Sequence, residues 1–272
     1  MASSCSAGHS WRSAASWRRR GRHAKQVEVV AGNYSLVFAR PVSGTPQTVL
    51  LLRPPGVYRA DSDTSLLIDV MTAGRYAAGR RVLDIGTGTG ALALAAARAG
   101  AASVAAVDLS LRSIAATWVN CRIHRVQCRL YRGDLFGPVA GQRFDLILAN
   151  PPYVPAATNV VSQHRISRCW DGGLDGRAVL DRLCTGAPRL LTPQGLMLVV
   201  HSTVCDDNVT VRRLTEAGLR AEVLARCTIP FGPVMRLRAA MLEARGLIEP
   251  GQRDEELVVI AAHAPAGGRH VH

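Results

Sequence analysis

Val27 to Phe38 alternates apolar and polar positions and is rich in β-branched residues, which predicts strand; the Pro/Gly stretch Pro41 to Pro55 predicts a loop. Beyond it, short apolar runs trade places with segments of helical period. Strands are predicted over Arg81–Ile85, Ser103–Val107, Gln127–Tyr131, Phe144–Ala149, Gly195–His201, Arg220–Cys227 and Glu256–Ala262. Helices are predicted over Asp63–Ala73, Ala91–Arg98, Arg112–Ile123, Gly176–Leu191 and Asp207–Ala217. Strands joined by crossover helices give an α/β fold, a mostly parallel twisted sheet with helices on both faces. The last two strands are expected to form an antiparallel edge pair.

At 272 residues and 48% apolar, the chain can bury one sizeable core. The expected organisation is a basic, disordered tail over 1–25 and a single domain over 26–272, with a strand-and-loop segment to residue 60 and a core over 61–265. The best candidate for a membrane span, Leu92 to Val107, is interrupted by Arg98 and is mostly alanine, so no membrane span is expected. Seven scattered cysteines without a Cys-x-x-Cys pair suggest neither a disulfide framework nor a zinc ribbon, and fit a reducing cytoplasm.

The net charge of +13 changes the picture less than its size suggests. Arg12, Arg18, Arg19, Arg20, Arg22 and Lys25 carry almost half of it in the acid-free tail, where Trp11 and Trp17 also lie. The tail lacks the apolar core of a secretory signal. The basic body is compatible with a solvated arginine surface, or with RNA or a ribosome as partner, since neutralised phosphates release counterions.

The candidate chemistry begins where strand 81–85 runs into Gly86, Gly88 and Gly90 and then a helix. Glycine allows positive φ and lets a ligand approach the backbone. Asp108 ends the next strand about 20 residues on, where a carboxylate can accept hydrogen bonds from both ribose hydroxyls. Gly86, Gly88 and Ala91 also satisfy the dinucleotide fingerprint, so the loop alone defines a nucleoside site. A carboxylate at Asp84 would repel a pyrophosphate and attract the cationic methionine end of S-adenosylmethionine. A second element, Asn150-Pro151-Pro152-Tyr153, ends strand 144–149 at the sheet edge where open α/β folds place their sites.

The loop from Asp84 to Gly90, Asp108, Gly133-Asp134-Leu135-Phe136 and the Asn-Pro-Pro-Tyr tetrad together resemble class I S-adenosylmethionine-dependent methyltransferases that act on planar amino or amide nitrogens. Gly56 to Leu67 and Trp170 to Arg177 are similar to segments of the short HemK-like branch, which methylates the glutamine of peptide-release factors. The resemblance spans about residues 54 to 265. It implies S-adenosylmethionine as cofactor, held by Thr64, Asp84, Gly86, Gly88, Gly90, Asp108, Asp134, Leu135 and Asn150. In it Asp108 meets the ribose, Asp134 the adenine amino group, and Asn150, Pro151, Pro152 and Tyr153 the acceptor nitrogen. The substrate implied is a release factor; the sequence leaves open whether a small activating subunit is required. Ala60, where that branch has proline, and Ser65, where it has a large apolar residue, depart from the pattern. The tetrad would serve a nucleic-acid exocyclic amine equally well. A small-molecule acceptor and a degenerate, non-catalytic binding fold are the other readings. Cys121, His124 and Cys128 lack a fourth ligand, and no metal site is expected.

Overall fold

The computed structural model describes residues 28–31, 34–39, 49–158 and 166–266. The expected tail, Trp11, Trp17, His164, Arg165 and residues 267–272 lie outside the described residues.

The chain runs β1 (Glu28–Ala31), β2 (Tyr34–Ala39), β3 (Val49–Arg53), α1 (Ser62–Ala73), β4 (Arg81–Ile85), α2 (Ala91–Arg98), β5 (Ser103–Asp108) and α3 (Leu111–Ile123). It continues through β6 (Arg129–Arg132), β7 (Phe144–Ala149), α4 (Leu180–Gly186), β8 (Leu191–Ser202), α5 (Asp207–Glu216), β9 (Arg220–Pro230), α6 (Pro233–Ala244) and β10 (Asp254–His263). Seven strands form one sheet in the order β6-β5-β4-β7-β8-β10-β9. All pairs are parallel except those of β10, which runs antiparallel to both β8 and β9. The expected edge pair is β9 with β10, with β10 the reversed strand, set one place in from the edge.

Central strands β4, β5 and β7 are buried on both faces, so they read as unbroken apolar runs, whereas edge strand β9 alternates. One core layer joins Leu67 and Met71 of α1 and Leu92, Ala93 and Ala96 of α2 to the sheet. The opposite layer is built on Leu180, Leu183 and Cys184 of α4 and Leu214 of α5. Strand order reverses between β4 and β7, both of which point their carboxyl ends at one crevice.

Four local expectations change. The single strand expected over 27–38 is two, β1 and β2, and the expected loop 41–55 holds β3, completing a three-stranded antiparallel sheet. Val49-Leu50-Leu51-Leu52 is apolar enough to pair, and α3 holds it: Asn120 accepts from Leu52 N at 2.7 Å and donates to Leu52 O at 3.0 Å. The helix expected over 176–191 is confined to α4, because Ala178 N is drawn to Gly172 O and Pro188 lies in a following 3₁₀ turn. The chain then enters β8 at Leu191, four residues earlier than expected. Finally, the unassigned stretch before Glu256 contains α6, opened by Pro233 in its first turn.

Candidate active site

The sheet topology places Gly86, Gly88 and Gly90 at positive φ, between β4 and α2. A Cβ on Gly86 or Gly88 would meet only ordinary van der Waals contacts, none closer than 3.8 Å, while one on Gly90 would stand 2.8 Å from Thr117 Cγ2. Asp84 sits beneath the loop with no exposed surface. Its Oδ2 accepts from Thr87 Oγ1 at 2.7 Å and Ala93 N at 3.1 Å, and its Oδ1 is buried without a partner. Burial, only partly offset by these bonds, pushes its carboxyl up to about 7. Asp108, at the end of β5, accepts from Gly88 N at 3.0 Å and Ser110 N at 2.7 Å, and burial raises its carboxyl too. An orphaned buried carboxylate oxygen, an open glycine cradle and a second carboxylate are a donor set suited to a cationic nucleoside.

Beside it lies a cavity of about 330 Å³ lined by Asn150, Pro151, Pro152 and Tyr153, and by Tyr58, Asp63 and Phe231 among others. Its organising group is Asp63, which is only 4% exposed. Asp63 Oδ2 accepts from the Tyr58 hydroxyl at 2.6 Å and the Tyr153 hydroxyl at 3.1 Å. Its Oδ1 accepts from Thr64 N at 2.5 Å and the Thr64 hydroxyl at 3.2 Å. Thr64 in turn accepts from Asn150 Nδ2 at 3.0 Å. The direction of donation is therefore set by the carboxylate: the Asn150 amide must turn its NH₂ to Thr64, which leaves its carbonyl oxygen for the cavity. Burial raises Asp63 above the usual carboxylate range, and burial and Asp63's charge raise both tyrosines.

The segment after the tetrad is held just as closely. Gly176, at φ +78°, packs so that a Cβ would fall 2.3 Å from Tyr153 O. Arg177 is buried and donates to Cys205 O, Asp206 O, Thr210 and Asp181. From α6, Arg238 donates to Pro155 O at 2.9 Å and Asp171 at 2.5 Å, and Arg245 donates to Ala156 O at 2.9 Å. Of the two acids in this segment, Asp175 accepts from Arg177 N at 3.0 Å, whereas Asp171 is the ion-pair partner of Arg238.

The structure thus gathers Thr64, Asn150, Pro151, Pro152 and Tyr153 on one side and Asp84, Gly86, Gly88, Gly90 and Asp108 on the other. Leu135 adopts positive φ next to Asp134, and Gly133 N donates to Asp108 O at 3.0 Å, which ties that turn to β5. The Asp134 side chain stands apart, half-exposed and 2.5 Å from Arg182 of α4. His124 is engaged by Leu50 O at 2.6 Å and by Arg98, so it serves the β3 contact. The sequence reading missed Asp63, Tyr58 and Glu255 as site residues. Asp63 was detectable as an acid beside Thr64 in the same segment; Glu255, far along the chain, carried no local signal.

Comparison with known proteins follows the same lines. The family model of the methyltransferase small domain matches residues 49–167. The chain is 31% identical over 185 residues to a Methanocaldococcus jannaschii protein that is provisionally named a protein N5-glutamine methyltransferase, covering 68% of this chain and 92% of that one. It is 35% identical over 152 residues to the release factor glutamine methyltransferase of Geobacter sulfurreducens, and spans 53% of that relative's length. Among solved structures, the E. cuniculi Mtq2–Trm112 complex, which methylates the termination factor eRF1, superposes with a TM-score of 0.53. The identity there is 23%, over 77% of this chain and 99% of that one.

Proposed function

Because the chain belongs to the HemK-like branch of the class I S-adenosylmethionine-dependent methyltransferases, we propose that it methylates a side-chain amide nitrogen, the glutamine of a peptide-release factor being the leading acceptor. The observation that carries this reading is the orientation of Asn150, whose amide is tied by its NH₂ to Thr64 and Asp63 and so offers an acceptor to the cavity.

When bound, S-adenosylmethionine supplies an electrophilic methyl on a cationic sulfur. In this reading Asp84 attracts its cationic methionine end, Asp108 takes the ribose hydroxyls, and Thr64, Gly86, Gly88, Gly90 and Leu135 shape the site. Asp134 takes the adenine amino group after releasing Arg182.

An amide nitrogen is a poor nucleophile, since its lone pair is delocalised. Attack on the methyl would break the methyl's bond to sulfur, which would leave as a neutral thioether. Positive charge would develop on the nitrogen until one N–H proton is lost to water. The Asn150 side-chain carbonyl and the Pro151 backbone carbonyl accept its two N–H bonds, stabilise that charge and hold the lone pair in line. These acceptors are fixed before the substrate arrives, so little reorganisation is needed at the moment of reaction. Pro151 and Pro152 stiffen the turn, and Tyr153, pinned through its hydroxyl to Asp63, packs its ring against the flat acceptor group. Residence in the cytoplasm belongs to the same proposal. Its support is a translation-factor substrate and six cysteines that are all free among the described residues.

The test is transfer of labelled methyl to purified release factor and, in parallel, to total ribosomal RNA, with wild type and Asn150→Ala. Label on the factor's glutamine with wild type, reduced at least 100-fold by the substitution while cofactor affinity stays within a few-fold, is the expected result. Label on RNA alone overturns the protein reading. Cofactor binding with no transfer by the isolated chain would bring in a small activating subunit, to be tested by co-expression.

A further inference from the structure

Glu255 is a buried carboxyl of the cavity wall that the mechanism above leaves idle, and its setting is unusual. It sits at the second position of β10, opposite Ile229 of β9, and is only 4% exposed. Its nearest polar neighbour is the Ser202 side chain, on the strand paired with β10, and its Oε2 is buried with no partner. The same cavity is lined by Asn150, Pro151 and Tyr153. A buried carboxyl oxygen left without a partner costs about 1–3 kcal/mol, so it is expected to have one in some working state.

Three carboxyls line this cavity; Asp61 is exposed and caps α1 by accepting from Ser62 N at 3.0 Å, and the two buried ones, Asp63 and Glu255, are not equivalent. Asp63 accepts four hydrogen bonds, from Tyr58, Tyr153 and the amide and hydroxyl of Thr64. Glu255 has only the Ser202 side chain. When two buried carboxyls repel each other, the better-solvated one keeps the charge and the other keeps a proton. The other groups around Glu255 do not reverse this. Tyr58, Tyr153 and Cys205 are neutral, with their acidities weakened by burial first of all. Arg236, the one cation among the described residues lining the cavity, donates instead to Phe231 O at 2.8 Å.

We infer that Glu255 works as a neutral acid whose O–H donates to the carbonyl oxygen of the acceptor amide, making it a specificity-determining group for a carboxamide. This rests on the amide reading above and completes it. A primary amide presents two N–H donors and one carbonyl acceptor. Asn150 and Pro151 meet the first two; Glu255 meets the third, while the buried hydroxyls of Tyr58 and Tyr153 are engaged by Asp63 and the Cys169 thiol by Gly56 O. A pocket that matches all three positions rejects an amine, which lacks the carbonyl, and a carboxylate, which lacks both N–H groups. Burial, ahead of the charge of Asp63, pushes the Glu255 carboxyl up to about 7, so the proton is held below that pH and given up above it.

The experiment measures kcat and KM for release factor at saturating S-adenosylmethionine between pH 6 and 8.5, with wild type, Glu255→Gln and Glu255→Ala. Loss of the proton removes a donor and places a charge against the carbonyl, so wild-type KM is expected to rise about tenfold from pH 6 to 8.5 while kcat changes less. Glu255→Gln retains an N–H donor that does not titrate, and its KM should be flat with pH. Glu255→Ala should show the raised KM at every pH. A wild-type KM independent of pH, or a Glu255→Gln profile that still rises with the wild type's midpoint, overturns the role of Glu255 and leaves the amide reading standing. Absence of any transfer to release factor by wild type at every pH overturns the amide reading, and this inference with it.

Discussion

Asp63 has an effect on the site out of proportion to its size, because one buried carboxylate sets the direction of a chain of hydrogen bonds through Thr64 to Asn150 and pins two tyrosines besides. Replacing it with asparagine removes the fixed polarity: the new amide can donate to Thr64, and Asn150 is then free to flip. Asp63→Asn is expected to lower kcat about 100-fold or more, within the range for losing one preorganised group, with much less effect on the cofactor dissociation constant. Equal losses in both would show that Asp63 supports the cofactor site and not the tetrad. Gly88 illustrates the opposite kind of residue, one chosen for what it lacks. Its positive φ, a conformation that side chains disfavour, and the absence of a Cβ beside Tyr58 keep the cradle open and its N–H on Asp108.

At the scale of elements, the tetrad's geometry depends on segments far from it in sequence. The turn carrying Gly172, Gly173 and Gly176 lies against Val154 and Tyr153, α6 clamps its far side through Arg238 and Arg245, and Arg177 ties it to the start of α5. Gly176→Ala places a methyl 2.3 Å from Tyr153 O at a φ that disfavours any side chain. The substitution is expected to destabilise the protein by about 1–3 kcal/mol. At its size that lowers Tm by roughly 2–10 °C and displaces the tetrad, so that kcat falls as well. A thermal melt and a kinetic assay on the same preparation check both. Helix α6 has a similar standing: Phe231, Met235, Leu242 and Ile248 pack with Val154 into a small separate core, so a connection between two strands becomes a wall of the acceptor cavity.

For the whole molecule, stability and ligand binding are linked through Asp84. Its carboxyl rises from 3.8 to about 7 on burial, so between those values the folded state holds a proton that the unfolded chain has released. Stability from this group is therefore present in acid and is lost as pH rises towards 7, and remains absent above it. Asp84→Asn should make ligand-free Tm less sensitive to pH between 5 and 8, raise it above wild type at pH 8, and abolish cofactor binding. Wild type with S-adenosylmethionine at about 100 times its dissociation constant should gain about 2.7 kcal/mol, or roughly 5–10 °C in Tm. A Tm unmoved by the ligand would contradict the cradle assigned here. Among the described residues no helix is long and apolar enough to cross a membrane.

The order of strands and helices from α1 to α5, the parallel sheet, the glycine turn, the strand-end positions of Asp84 and Asp108, and the tetrad were legible in the sequence, because each is a local pattern. Apolar runs of strand length report burial on two faces. Glycines after a strand report a turn with positive φ, and two prolines report a stiff one. What tertiary structure alone decided is pairing across distance: β3 found against α3, α6 folded over the cavity, and β10 inserted between β8 and β9. The same holds for Asp63 and Glu255, separated by most of the chain yet facing one pocket. A carboxyl's hydrogen-bond partners, burial and charged neighbours come from other segments, so its protonation and its role are properties of the fold and not of the residues next to it in sequence.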